Sequence, residues 1–397
     1  MSTREIKPNI YSVGALDAER RLFDELIPLP DGTSYNSYII KGSDKVALLD
    51  TVDPPKAEVL LANLKELGLK KIDYIVAHHA EQDHSGTIPK VLEKYPEAKV
   101  VTNARCKEML KDLLLIPDDK FIVVADREKI SLGDKTLEFI LTPWVHWPET
   151  MVTYLKEDKI LFSCDFFGSH LASSDLFVAD EAKVYDSAKR YYAEIMMPFR
   201  SMIKKHLEIV DKLVIDVIAT SHGPIYDKPS FIIDAYRDWI TDEVKNEVVI
   251  PYVSMHGSTQ AMVDYFIDAL EKKGITVKPF NLTKTDLGEL AMALVDAATI
   301  VIGSPTVLVG AHPAAVNVAF LANALRPKAK FLSIIGSYGW GGKMVDQLKG
   351  LIPVLKVELL DPVVIKGFPK EEDLRKLDGL AEAIAQKHRE DILVRKG

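Results

Sequence analysis

Cysteine is almost missing from this chain: 397 residues hold only Cys106 and Cys164. Two thiols are too few for a disulfide framework or a thiolate-held cluster, and they fit a reducing cytoplasm. Long apolar runs are missing too. No stretch reaches the roughly 18 residues of a membrane helix, and the charged start from Met1 to Lys7 lacks the apolar centre of a signal peptide. Neither a membrane partner nor export is expected. Positive charge is nowhere concentrated: 50 Lys and Arg stand against 58 Asp and Glu, a formal net charge of −8. With no basic cluster long enough to track a phosphate backbone, nucleic acid is not an expected partner, which leaves small molecules and proteins. Internal repeats and low-complexity tracts are also absent. So is the Gly-x-Gly-x-x-Gly fingerprint, which argues against a Rossmann half that binds NAD.

What is present is an ordinary globular balance, 47% hydrophobic and 27% charged, and more length than one core usually takes at about 150 residues per domain. The first half alternates short β-branched runs with turn residues. Strands are expected at Tyr35 to Gly42, Lys45 to Thr51, Asp73 to His79, Lys99 to Asn103, Phe121 to Ala125 and Leu137 to Pro143. Thr150 to Leu155, Ile160 to Cys164 and Ile215 to Ser221 follow, giving a strand-rich α/β layered domain. A charged helical segment then leads to a new start at Val248, and the domains are expected to be 1–246 and 247–397. From there β-α-β alternation is regular, with strands at Val248 to Val253, Val277 to Phe280, Ala298 to Gly303, Phe331 to Gly336 and Val357 to Leu360. That order implies a doubly wound parallel sheet of about five strands.

The most informative stretch is Ile75-Val76-Ala77-His78-His79-Ala80-Glu81-Gln82-Asp83-His84, an apolar strand running into a loop dense with ligand-type side chains. If the chain stays extended, His79, Glu81 and Asp83 share one face, and His84 turns in as the helix from Ile88 begins. His78 is out of register and is expected to face the other way as a non-ligand. His146 in Trp144-Val145-His146-Trp147-Pro148, Asp165 after Cys164, and His222 in Thr220-Ser221-His222-Gly223 each end an apolar run. Strand ends of a layered domain converge on one rim, where four histidines and three carboxylates can serve two metals held close together.

This pattern resembles the metallo-β-lactamase superfamily, whose usual zinc-hydrolase signature is His-x-His-x-Asp-His followed by His, Asp and His. Here Glu81 replaces the second His. Glu81, Asp83 and Asp165 with a bridging hydroxide carry about −4, enough to balance two divalent ions, and the extra hard oxygen favours iron over zinc. The resemblance is closer still to the flavodiiron proteins, also called A-type flavoproteins, and spans essentially the whole chain. It implies an αββα sandwich followed by a flavodoxin-like domain. One iron would take His79, Glu81 and His146, the other Asp83, His84 and His222, with Asp165 between them. His170 and Tyr191 match residues that lie near the diiron pocket in relatives. Where many relatives carry a histidine, Arg21-Leu22-Phe23-Asp24 supplies Asp24, and proton delivery or gas preference is expected to differ accordingly.

In the second half, the first strand runs into Ser254-Met255-His256-Gly257-Ser258-Thr259-Gln260, which offers hydroxyls and free N–H groups at a helix start to a phosphate. Ser304-Pro305-Thr306 and Ser337-Tyr338-Gly339-Trp340-Gly341 follow later strands, and in a doubly wound sheet all three loops line one carboxyl edge. Flavodoxins bind FMN there, and the resemblance puts Tyr338 or Trp340 near its ring. It further implies reduction of O2 to water, of NO to N2O, or both. Electrons would come from a separate rubredoxin-like protein or a reduced deazaflavin, since no Cys-x-x-Cys pair is present. The expected assembly is a head-to-tail homodimer, alone or paired into a tetramer. The competing reading is a zinc-dependent β-lactamase-fold hydrolase with a regulatory flavodoxin domain, which Glu81 opposes. An electron carrier with a dead metal domain is opposed by the complete ligand set.

Overall fold

The computed structural model describes residues 3–395. The chain divides into two compact units, one running to Tyr192 and resuming over Phe199–Asp238, the other comprising Ala193–Pro198 and everything from Trp239. The division precedes the expected break at 246, because the first strand of the second unit already starts at Val244 and runs to Tyr252.

The first unit is built on two sheets. One is ordered Arg4–Lys7, Ile10–Ser12, Tyr38–Lys41, Val46–Leu49, Tyr74–Val76, Lys99–Thr102 and Phe121–Val123; its first four strands pair antiparallel and the rest parallel. The other is ordered Lys129–Ser131, Thr136–Leu141, Met151–Leu155, Ile160–Cys164 and Val217–Thr220, antiparallel until its last parallel pair. Period-two alternation explains why they stack. Ile40, Ala47, Leu49, Val76 and Val101 face Phe139, Met151, Leu155 and Phe162 of the other sheet, while Ile39, Leu48, Ile75 and Val100 face the opposite side, against Leu60, Leu64, Val91 and Leu110 of helices. Each fully buried Val, Leu, Ile, Met or Phe among them contributes about 1.5–3 kcal/mol. Most strands of these two sheets fall within the expected runs or shift by a residue or so at the ends, whereas two small hairpin-like pairs, Ala15–Asp17 with Thr33–Tyr35 and Leu22–Phe23 with Ile27–Pro28, were not foreseen. Arg4–Lys7, Ile10–Ser12 and Lys129–Ser131 were not expected; the first and last are sheet edges whose side chains stay largely solvated.

The second unit is a twisted parallel sheet in the order Thr276–Asn281, Val244–Tyr252, Ala297–Val307, Phe331–Tyr338 and then Glu358–Leu359, with Val363–Lys366 also pairing to Phe331–Tyr338. The order reverses between the first and third strands of this unit, which opens a crevice at their carboxyl ends. The expected last strand at Val357 to Leu360 is only the first part of what is there. The chain breaks at Asp361-Pro362 and resumes pairing at Val363, since proline has no N–H to give a ladder.

Candidate metal centre and flavin edge

At the metal rim, Val76 points into the sandwich and His78, two residues on, keeps that direction. Its Nδ1 and backbone N–H meet the two oxygens of Asp50 at 2.7 and 2.9 Å, and its Nε2 meets Thr153 Oγ1 at 2.6 Å. His78 therefore joins the two sheets and stands apart from the ligand cluster, as expected. The extended run does not continue to Asp83. Gln82–Ser85 is a single helical turn with Glu81 at its N-cap, pinned by Ser85 Oγ donating to the Ala80 carbonyl and Thr51 Oγ1 donating to that of His84. His79 and Glu81 therefore leave the chain before the turn, Asp83 and His84 from within it, so the run delivers two pairs to two places. Asp165 follows Cys164, which ends its strand in the left-handed region at φ 52°.

Two groups result. His79, Glu81, His146 and Asp165 present ligand atoms within 4.8 Å of one another, and so do Asp83, His84 and His222. Asp165 touches both. Its Oδ2 lies 3.6 and 3.5 Å from His79 and His146 Nε2, whereas its Oδ1 lies 3.0 and 3.4 Å from His84 and His222 Nε2. Glu81 Oε2 approaches His79 and His146 at 2.9 and 3.3 Å, and the Asp83 oxygens approach His84 and His222 at 3.3 and 3.2 Å. Yet both oxygens of Asp83, both of Asp165 and His84 Nε2 are buried without a well-formed hydrogen bond. Buried polar atoms left so are costly, and here they aim at two common points. The donor set fits two metal ions.

Electrostatics agree. Burial pulls the His222 and His146 imidazoles toward neutrality, but the carboxylates around them outweigh it and push their pKa values up to about 10 and about 9. Burial opposes ionisation of Asp165 as well, and the surrounding histidines still hold it well below the usual carboxylate range. A site that draws protons onto buried imidazoles also draws dications.

Around this cluster, the His170 ring lies tilted at 57° to that of His222 with centroids 4.8 Å apart, meets Thr33 Oγ1 through Nδ1 at 2.9 Å, and is kept neutral by burial and by its neighbour His222. Tyr191 lies 4.9 Å from His170 and 5.9 Å from His222, and burial followed by the charge of Asp165 raises its phenol well above the usual value. Gly168 leaves room for that ring, since a Cβ there would stand 3.2 Å from Tyr191 Cζ. Asp24 is exposed in a tight turn at φ 50°, and desolvation and then the charges of Glu81 and Asp83 raise its pKa. One neighbour escaped the sequence reading. Glu149 meets His79 Nδ1 at 2.7 Å, and its only signal was an acid entering a fully buried strand three residues after His146.

At the carboxyl edge of the second unit, Ser254, Met255, His256, Ser258, Thr259, Pro305, Thr306, Ser337, Tyr338 and Gly339 line one cavity of about 200 Å³. Gly341 and Lys343 line an adjoining one of about 370 Å³ that shares Thr306 and Tyr338. Gly257 turns the loop at φ 89° with open space where a Cβ would be, and the Thr306 hydroxyl is buried with no partner. These features fit a phosphate-bearing ligand. Four expected residues do not line either cavity: Gly257 only shapes the loop, Ser304 bonds to His312 N and the Pro305 carbonyl, Gln260 bonds to Asp264, and Trp340 stands 73% exposed. Gly367, which lines the first cavity and donates its N–H to the Tyr338 carbonyl, was not foreseen.

Comparison with known proteins accords with this geometry. The model of the ODP family beta lactamase matches residues 33–223. A nitric oxide reductase of Moorella thermoacetica is 37% identical over 96% of this chain and 97% of its own. The chain belongs to the flavodiiron family. Among solved structures, the rubredoxin oxygen:oxidoreductase of Desulfovibrio gigas superposes with a TM-score of 0.93 at 29% identity, covering 97% of this chain and 98% of its own. The flavodiiron protein of Giardia intestinalis gives 0.90, also at 29% identity, with 98% of both chains covered. No helix among the described residues of this flavodiiron protein is long and apolar enough to cross a membrane.

Proposed function

We propose that this protein reduces O2 to water, NO to N2O, or both, at two non-haem irons, with FMN relaying electrons from an external donor. The observation that carries it is the division of Asp165, one oxygen toward His79 and His146 and the other toward His84 and His222, with Glu81 on the first group. On this reading one iron is held by His79, Glu81 and His146 and the other by Asp83, His84 and His222, with Asp165 joining them. FMN occupies the cavity between the Ser254–Thr259, Pro305–Thr306 and Ser337–Gly339 loops. Bound together, irons and flavin supply electron storage and open positions for a diatomic gas. The protein's own groups do the rest. Burial and Asp165 keep the proton on Tyr191 Oη, which makes that phenol a donor rather than a base beside the histidine and carboxylate cluster. His170, held neutral, adds a second polar wall without adding charge.

The donor is a rubredoxin-like protein or a reduced deazaflavin, the assembly a head-to-tail dimer or a pair of such dimers, and the location cytoplasmic, where the buried free thiols of Cys106 and Cys164 stay reduced. Metal analysis and the visible spectrum of protein made in iron-replete medium, followed by side-by-side O2 and NO consumption with reduced donor, test the reading. About two irons and one flavin per chain are expected. Two zincs and no flavin absorbance would replace it with a hydrolase.

A further inference from the structure

We infer that Glu149 is a positioning residue that makes the two halves of the metal centre electrically unequal and lowers the reduction potential of the metal held by His79. The inference rests on the diiron reading above. Glu149 is fully buried, and its Oε1 accepts from His79 Nδ1 at 2.7 Å and from the Ala80 N–H at 3.0 Å. Its carbonyl in turn accepts from Asn103 Nδ2, at 2.5 Å, and Asn103 is itself fixed as the N-cap of Ala104–Leu114. With Nδ1 committed to a carboxylate, His79 turns its other nitrogen into the centre, 3.6 Å from Asp165 Oδ2.

The other half is built differently. His222 Nδ1 meets the backbone carbonyl of Ser34 at 2.7 Å, a neutral acceptor. Two carboxylates, Glu81 directly and Glu149 through the imidazole, thus act on the His79 side, against Asp83 on the His222 side, while Asp165 is shared. A carboxylate behind a ligating imidazole makes it a stronger donor and stabilises the higher oxidation state. The second oxygen of Glu149 is buried without a partner, and the cation on the same cavity wall, Arg105, is turned onto the Trp144 ring with its Cζ 5.8 Å from the centroid. The charge of Glu149 is therefore left to be balanced through His79, and so by the metal that His79 holds.

The test is a redox titration of the iron-loaded, full-length protein, followed by electron paramagnetic resonance of the one-electron-reduced centre, in wild type, Glu149→Gln and Glu149→Asp. Gln keeps an oxygen for the Nδ1–H and removes the charge. With two irons per chain retained, Glu149→Gln should raise the lower of the two midpoint potentials by at least a tenfold change in that one-electron equilibrium, about 59 mV, and move the upper one less. Glu149→Asp keeps the charge and should stay within that interval of wild type, which decides the matter alone should the Gln variant not fold. Unchanged potentials in Glu149→Gln, or an Asp variant shifted by tenfold or more, overturn the inference. Wild type without iron would instead overturn the diiron reading.

Discussion

At the rim of the first unit, charged and titratable side chains from separate strand ends aim at one another, nearly all of them buried. At the carboxyl edge of the second unit the lining is loop residues, mainly small hydroxyls and glycine with Met255, His256, Pro305 and Tyr338 among them, much of it open to solvent. The first site is specified by which side chains are present, the second by where the chain turns. A metal centre concentrates charge and so must be completed by its own residues, whereas a phosphate can be held by N–H groups that any residue type supplies. Replacing a single side chain should therefore harm the first far more than the second, and altering the backbone should do the reverse.

The largest expected effect is on the metal side. Glu81→His removes one of three carboxylates, so iron loading should weaken and gas reduction should be lost, while flavin content stays at the wild-type level. Iron and flavin assays on one preparation check both halves of that statement. Equal O2 consumption by wild type and variant would remove Glu81 from the mechanism.

Next in size is a complementation that separates the two sites onto different chains. Asp165→Ala lacks the shared oxygens and Gly257→Glu sets a bulky acid in the phosphate loop, so each is expected to be inactive alone. In a head-to-tail dimer, random pairing makes half the dimers mixed, each with one working flavin-to-iron pair of two. Co-refolding should then restore roughly a quarter of wild-type activity. Confirmed mixed dimers with no activity would rule out transfer between subunits.

A smaller effect belongs to the second unit alone. His388 is buried between Thr299 Oγ1 at 2.7 Å and Asn246 Oδ1 at 2.8 Å, and burial pulls its pKa down to about 4, against a raising influence of Asp391. The folded value lies below the unfolded one, so its contribution to stability is full above about pH 6.5 and is lost as pH falls toward 4. Between pH 7 and pH 5 the loss is about 2 kcal/mol. Urea denaturation followed by flavin release should show that loss in wild type and a smaller one in His388→Gln. The smallest effect is Gly257→Ala: at φ 89° an L side chain costs about 1–2 kcal/mol, with no clash to add because the space is open. Flavin should bind more weakly and iron content should not change.

The same contrast explains what could be read from sequence. The candidate metal residues announced themselves because four histidines and three carboxylates stand at the ends of apolar runs in an order that matches a known pattern. Glu149 did not, because one acid at the start of a buried strand has no spacing to mark it. The extended path through Asp83 was wrong for a non-local reason: side-chain alternation cannot foresee a four-residue helical turn held by Thr51, a partner far along the chain. At the flavin edge the loops were found from the β-α-β rhythm, but which of their side chains line the cavity depended on bonds such as Gln260 to Asp264 that only the folded helix creates. Gly367 joins by donating a backbone N–H across to Tyr338, an interaction without a residue signature.

The bond from Asp50 through His78 to Thr153 matters to anyone wishing to transplant this centre into another scaffold. His78 lies outside the clustered ligand groups, yet it fastens the segment just before His79 to both sheets at once, through contacts of 2.7 and 2.6 Å. A graft limited to the run from His79 to His84 would import the chelating groups without the clamp that fixes their starting angle. If His79 holds a metal as proposed, the portable cassette is a histidine pair, one member anchoring and the other chelating, and a host sandwich needs an aspartate and a threonine in matching positions to reproduce the clamp.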